Sequence, residues 1–75
     1  MRVPAREHVL RRRLAEAVLR ERTRLRWSQE RAAEEAGLNP RHLQKIESGT
    51  VNVTLRTLTR LSAAFGVDTK RLFEP

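Results

Sequence analysis

Residues 28–48 read Ser-Gln-Glu-Arg-Ala-Ala-Glu-Glu-Ala-Gly-Leu-Asn-Pro-Arg-His-Leu-Gln-Lys-Ile-Glu-Ser, and the fold turns on them. Ser28 can accept a hydrogen bond from a free N–H of a first helical turn. It therefore starts a helix expected over Gln29–Ala36, with Ala32, Ala33 and Ala36 on its inner face. Gly37 suits the left-handed residue that ends such a helix. Asn39 caps the next one, with Pro40 at its first position, where a missing N–H costs nothing. Only Gly37, Leu38 and Asn39 separate the two helices, and so short a connection forces a steep crossing. The crossing needs small side chains where the backbones approach, and Ala33 and Ala36 supply them. Leu38 plugs the space under the corner, while Leu43 and Ile46 seat the second helix.

At roughly 100° per residue, Leu43, Ile46 and Glu47 share the inward arc of that second helix. Arg41, Gln44, Lys45 and Ser48 cluster on the opposite arc, with His42 at its edge. An ordinary solvated face would also be polar. This one, however, has the chemistry that reads DNA: Arg and Lys reach guanine O6 and N7, and Gln pairs with adenine N6 and N7. Together with the preceding turn, it reads as a helix-turn-helix.

The flanks complete an all-α chain. A long first helix is expected from about Ala5 to Arg24, with Leu10, Leu14, Val18 and Leu25 on one stripe. Thr54 caps a helix from Leu55 to Phe65 that turns Leu58, Leu61, Ala64 and Phe65 inward, and Asp68 caps a last short helix holding Leu72. Gly49 and Gly66 follow helical segments as Gly37 does, and Pro4, Pro40 and Pro75 sit at segment starts or the chain end. Thr50–Thr54, short and β-branched, reads as an extended loop. The expectation is five helices and no strand.

Composition narrows the function. With 75 residues the chain is expected to form one small domain, near the lower size for a self-sufficient core. There is no Cys, hence no disulfide and no thiolate metal site. The apolar runs are too short for a membrane span, and an arginine-studded N-terminal region is unlike a secretory signal. A cytoplasmic, nucleoid-associated protein is expected. The net charge is +7, and fourteen of the sixteen bases are arginine, which points to an anionic partner, nucleic acid first. A ribosomal protein, a membrane-surface peptide or a basic surface without a partner would carry the same charge. Residues 1–27 hold nine Arg against three Glu, +6, and residues 28–75 hold seven bases against six acids, +1.

From Leu14 to Phe73 the sequence resembles the Cro/phage-repressor class of helix-turn-helix domains, the Xre family. The resembling stretches are Trp27-Ser28-Gln29-Glu30, Ala33 with Gly37-Leu38, and Ile46-Glu47-Ser48-Gly49. Thr57-Leu58-Thr59-Arg60-Leu61, and Phe65-Gly66-Val67 through Leu72-Phe73, extend the match. The resemblance implies a compact five-helix, lambda-repressor-like domain over residues 14–75; residues 1–13 depart from it as a basic N-terminal extension of the first helix, longer than the family minimum. It implies that Ser28 and Gln29 bind a DNA phosphate at a helix N-terminus, and that Pro40, Arg41, Gln44 and Lys45 touch bases. Asn39, His42, Ser48, Thr50 and Asn52 are the further phosphate-binding candidates. Pro40 departs from the family, where a polar base-reader is common, so Arg41 and Lys45 carry more of the reading. The stand-alone controllers of restriction–modification systems are similar over Asn52–Phe73.

Glu47 points inward in a last helical turn, where the dipole disfavours an acid. Arg22 lies at the edge of the first helix's stripe, at helical spacing after Leu14 and Val18. Two charges aimed at one core call for pairing, and the resemblance implies the same Arg22–Glu47 bridge. Trp27, at the junction of the first two helices, reads as core. Ala32 stands where relatives carry a large aliphatic residue, which predicts a thinner contact there.

A homodimer is expected through Val51, Val53, Leu55 and Phe73, with half-sites about 34 Å apart. The expected function is a transcriptional regulator, acting as a repressor by blocking a promoter on a palindromic operator with Pro40–Ser48 in the major groove. The alternative is an antitoxin-like module that neutralises a protein partner and binds DNA secondarily. Three readings of the N-terminal segment with Arg2, Arg6 and Arg11–Arg13 stand: a solvated helix, a phosphate-tracking arm, or a partner surface through Val9, Leu10 and Leu19. No enzyme, cofactor or metal is expected. His8 and His42 lie on different helices without a third ligand, Asp68 reads as a cap, and Glu34 and Glu35 diverge into solvent.

Overall fold

Four helical segments begin on a side-chain cap, as the residue types before them dictate. The Ser28 hydroxyl accepts from the Arg31 N–H, Asn39 from Arg41, Thr54 from Thr57 and Asp68 from Lys70. The computed structural model describes residues 3–74. It contains α1 (Val3–Arg24), α2 (Gln29–Ala36), α3 (Pro40–Glu47), α4 (Leu55–Phe65) and a 3-10 helix (Thr69–Phe73). Arg2 and Pro75 lie outside the described residues. The expected five helices become four α-helices and one 3-10 segment, with no strand among the described residues. Five residues between Asp68 and Glu74 are too few for a ladder of α bonds, and tight i→i+3 bonding, as from Arg71 N–H to the Asp68 carbonyl, suits short pieces.

All four α-helices end in the same way. Just past each helix an N–H bonds back five positions: Trp27 to Arg22, Leu38 to Ala33, Thr50 to Lys45 and Val67 to Ser62. This double-bonded ending needs a left-handed residue, and Gly37, Gly49 and Gly66 occupy it in three cases. In the fourth, Arg26 holds φ 59°, against the steric preference of an L side chain.

The core lies between α1 and the other elements. Leu14, Ala17 and Val18 of α1 meet Ala32, Ala33 and Ala36 of α2, Leu43 and Ile46 of α3, Leu58, Leu61 and Phe65 of α4, and Leu72. Ala32 is fully buried, so α2 reaches the core through alanines alone. Trp27 packs against this cluster with its ring 6.1 Å from that of Phe65, and the Arg31 guanidinium lies over the Trp27 ring at 5.4 Å.

Leu10 corrects the expected stripe: it is 41% exposed. The stripe's buried run continues the other way, into an acid. Glu21 is fully buried among arginines. Arg24 donates to it at 2.8 Å and Arg71 at 3.1 Å, with Arg20 at 3.5 Å. The same guanidiniums reach further, Arg24 to the Phe65 carbonyl and Arg20 to the Arg71 carbonyl. The cluster fastens the 3-10 helix and the end of α4 to α1.

Burial alone pushes the Glu21 carboxyl up, but the bonds and charges of Arg24 and Arg71 outweigh it and hold its pKa below the ordinary 4.5. As pH falls, the unfolded chain therefore takes up this proton first. The stabilisation is complete above about pH 4.5 and is lost as pH drops through the folded value. Glu21→Gln should lower Tm at neutral pH and flatten its acid dependence. An unchanged acid profile would show that other carboxylates set it. Arg26→Gly should raise stability by about 1 kcal/mol, read in urea melts, because it relieves a left-handed side chain at a helix end.

Candidate nucleic-acid interface

One guanidinium positions α3. Arg22 Nε donates to Glu47 Oε2 at 2.6 Å and Nη2 to Oε1 at 3.1 Å, a two-pronged pairing, while Nη1 donates to the Trp27 carbonyl at 2.9 Å. Gln29 Nε2 adds a further bond to Glu47 Oε1 at 3.1 Å. The bond from Glu47 raises the Arg22 pKa against the opposing effect of burial. The end of α1, the start of α2 and the end of α3 thus meet at one cluster, with 18% of the Arg22 side chain and 9% of the Glu47 side chain exposed.

Leu43 and Ile46 anchor one side of α3 in the core. Pro40, Arg41, Gln44, Lys45 and Ser48 are exposed, and His42 is half-buried. Among the described residues, no side-chain partner engages Arg41, Gln44 or Lys45. The base-reading candidates therefore share one uncommitted surface. The phosphate-binding candidates are more occupied. Ser28 and Asn39 are exposed but spend an oxygen on capping, and Gln29 is half-buried with an amide N–H on Glu47. Arg22, Ser28, Gln29 and Glu30 line an open notch at the start of α2.

Ser48 Oγ lies 2.7 Å from the Lys45 carbonyl and donates to it, and the hydroxyls of Ser48 and Thr50 are 2.8 Å apart. Thr50 Oγ1 also lies 3.4 Å from that carbonyl. Asn52 is not brought beside the Ser48 and Thr50 hydroxyls. It lines a separate groove with Leu10, Val51, Val53 and Phe73. The four interface candidates divide: Val51, Val53 and Phe73 are half-buried against the chain's own core, while Leu55 is 81% exposed.

With this geometry, a match to the family model described as Helix-turn-helix covers residues 18–72. The chain belongs to the Cro/C1-type helix-turn-helix family. Membership in this family makes it a DNA-binding regulator by class. Among solved structures it is similar to the crystal structure of a hypothetical transcription factor, NHTF, from Neisseria. Identity is 32% and the TM-score 0.87, over 92% of this chain and 78% of that one. No curated protein matches. Among the described residues, no helix of this family member is long and apolar enough to cross a membrane.

Reading of the residues missed the Glu21 cluster, although Glu21 follows Leu14 and Val18 at the spacing of a buried stripe. It also missed Gln29's bond to Glu47, which needs the two helices placed in space. Glu47→Ala should cost about 3 kcal/mol of stability, since it strands a largely buried guanidinium. Adding Arg22→Met should then cost little more. Strictly additive losses in the double-mutant cycle would show that the two residues do not act as a pair.

Proposed function

We propose that this chain is a sequence-specific, double-stranded-DNA-binding repressor that acts as a homodimer on a palindromic operator. Helix α3 enters the major groove of each half-site. One observation carries the reading: Arg41, Gln44 and Lys45 are exposed and uncommitted on a helix whose other face is fixed by Leu43, Ile46 and the Arg22–Glu47 pair. A rigid helix with free base-reading groups is what direct readout requires. In this reading Arg41 and Lys45 seek guanine, Gln44 seeks adenine, and Pro40 offers an apolar contact to a thymine methyl. Ser28, Gln29, Asn39, His42 and Asn52 hold the backbone around them, which sets register; the Ser48 and Thr50 hydroxyls add little to this, since both lie against the Lys45 carbonyl.

Leu55 supports the homodimer, as an exposed leucine two residues along the chain from Val53, which lines a groove with Val51 and Phe73. Two copies covering these residues would set half-sites about 34 Å apart. Occlusion of a promoter then suffices for repression, with no catalysis, in the cytoplasm, as for the controller proteins that the C-terminal part resembles. The antitoxin-like alternative is favoured only by Val9, Leu10 and Leu19, exposed on α1 at 38%, 41% and 48%.

Selection of bound duplexes from a random pool, at near-physiological salt, should enrich a palindrome. Arg41→Ala and Lys45→Ala should each weaken binding to it by about 1–3 kcal/mol and relax the preference at one position per half-site. Binding with no enriched motif would overturn the sequence-reading proposal and turn attention to a protein partner.

A further inference from the structure

The turn that follows α3 is short of hydrogen-bond donors. The N–H groups of Ser48, Gly49 and Thr50 bond back to the carbonyls of Gln44, Ile46 and Lys45. The Ser48 hydroxyl is spent on the Lys45 carbonyl, and the Thr50 hydroxyl has Ser48 and the same carbonyl within reach. A phosphate oxygen needs donors. Of these three residues, only Thr50 could offer a phosphate a hydrogen, by turning its hydroxyl away from its present acceptors.

The missing donors lie across the gap, on α1. Gly49 sits against the first helix: a Cβ built on it would stand 3.9 Å from Ala15 Cβ, 3.9 Å from the Arg11 carbonyl oxygen and 4.0 Å from Arg12 Cα. The resulting cleft between α1 and the turn is lined by His8, Arg12 and Glu16 on one side and by Ser48, Gly49 and Thr50 on the other. Arg12 and His8, one helical turn apart, are both exposed, and neither has a partner among the described residues. Arg6 and Arg13 have no partner among the described residues either, but four other arginines of α1 are committed. Arg11 is paired with Glu7, Arg20 and Arg24 with Glu21, and Arg22 with Glu47. Glu47 also borders the cleft, but its charge is taken up by Arg22 and Gln29. Glu16 is the cleft's uncommitted acid.

We infer that Arg12, assisted by His8, binds a DNA backbone phosphate at the C-terminal end of the recognition helix, so that the basic extension of α1 is part of the DNA interface. The inference rests on the DNA-binding reading above. It assigns a contact to residues N-terminal to the family match, which begins at residue 18. The chemistry is charge neutralisation without base readout: the guanidinium supplies paired N–H donors where the turn has almost none, and Glu16 opposes the contact.

The test is the salt dependence of binding by the full chain, on the selected duplex and on a duplex of scrambled sequence. Arg12→Gln should weaken binding about fivefold to tenfold on both and reduce the slope of log K against log salt by about 0.9. Glu16→Gln should move affinity the other way, tightening it about twofold to threefold. Thermal melts establish that both variants fold, and opposite shifts from two exposed α1 residues are not what a structural role would produce. An unchanged slope for Arg12→Gln, or an unmoved affinity for Glu16→Gln, overturns the inference. Because the contact is to the backbone, failure to enrich a motif would sink the sequence-reading proposal while the slope difference on the scrambled duplex still stood. Absence of DNA binding altogether would sink both.

Discussion

Arg22 holds Glu47 with two N–H groups and the Trp27 carbonyl with a third, so a single side chain sets three helix ends at once. The geometry has a consequence for recognition. A helix of eight residues has little stability of its own, and its exposed Arg41, Gln44 and Lys45 are only as well placed as its attachment. Leu43 and Ile46 fix how deeply α3 sits, but apolar packing is non-directional. The planar, two-pronged guanidinium–carboxylate contact adds direction. Gln29 extends it to the start of α2, which couples the placement of α2 to that of α3.

The next residue inward along α1 works in the same way on the opposite flank. Glu21 is completely buried and gathers Arg20, Arg24 and Arg71. Consecutive residues of one helix therefore tie down the C-terminal 3-10 helix and the recognition helix respectively. This compensates for a thin interior. The inner face of α2 is three alanines, and small side chains bury little apolar area. Charged networks with their bonds satisfied can hold elements together where apolar bulk is lacking, though at a desolvation cost that makes every missing partner expensive.

Much of this architecture was legible in residues 28–48. The expected and observed bounds of α2 coincide, and Asn39 with Pro40 opens α3, because caps and left-handed glycines act locally and leave a signature within a few residues. The pairing of Arg22 with Glu47 was legible for a different reason: each is a charge at a position where its helix points inward. The same logic applies to Glu21 but names no partner, since the Arg71 that answers it is 50 residues away and looks like any surface base. Leu10 reads as core by spacing alone. It is exposed because it lines an open groove beside Val51, Val53 and Phe73 and not the closed interior around Val18. Arg26 gives no local signal at all. Its left-handed backbone follows from the ending shared by all four helices, where three have glycine and one does not.

The partition of charge follows from these networks. Counted along the chain, the excess of +6 lies in residues 1–27 and only +1 in the remainder that contains the recognition helix, which would make the N-terminal third the sticky part. In space the sum is redistributed. Arg11, Arg20, Arg22 and Arg24 are committed to carboxylates of the chain itself, so four of the nine arginines in residues 1–27 serve cohesion. Arg12, Arg41 and Lys45 are exposed and uncommitted, and they come from α1 and α3, whose surfaces are joined where Gly49 lies against Ala15. Net charge per segment therefore says little about where an anion would be met. What counts is which cations remain after the buried acids have taken theirs. Here α1 has a double use: its C-terminal half is consumed in holding the fold, while its N-terminal half lends a free guanidinium to the corner where the turn after α3 has spent its own donors.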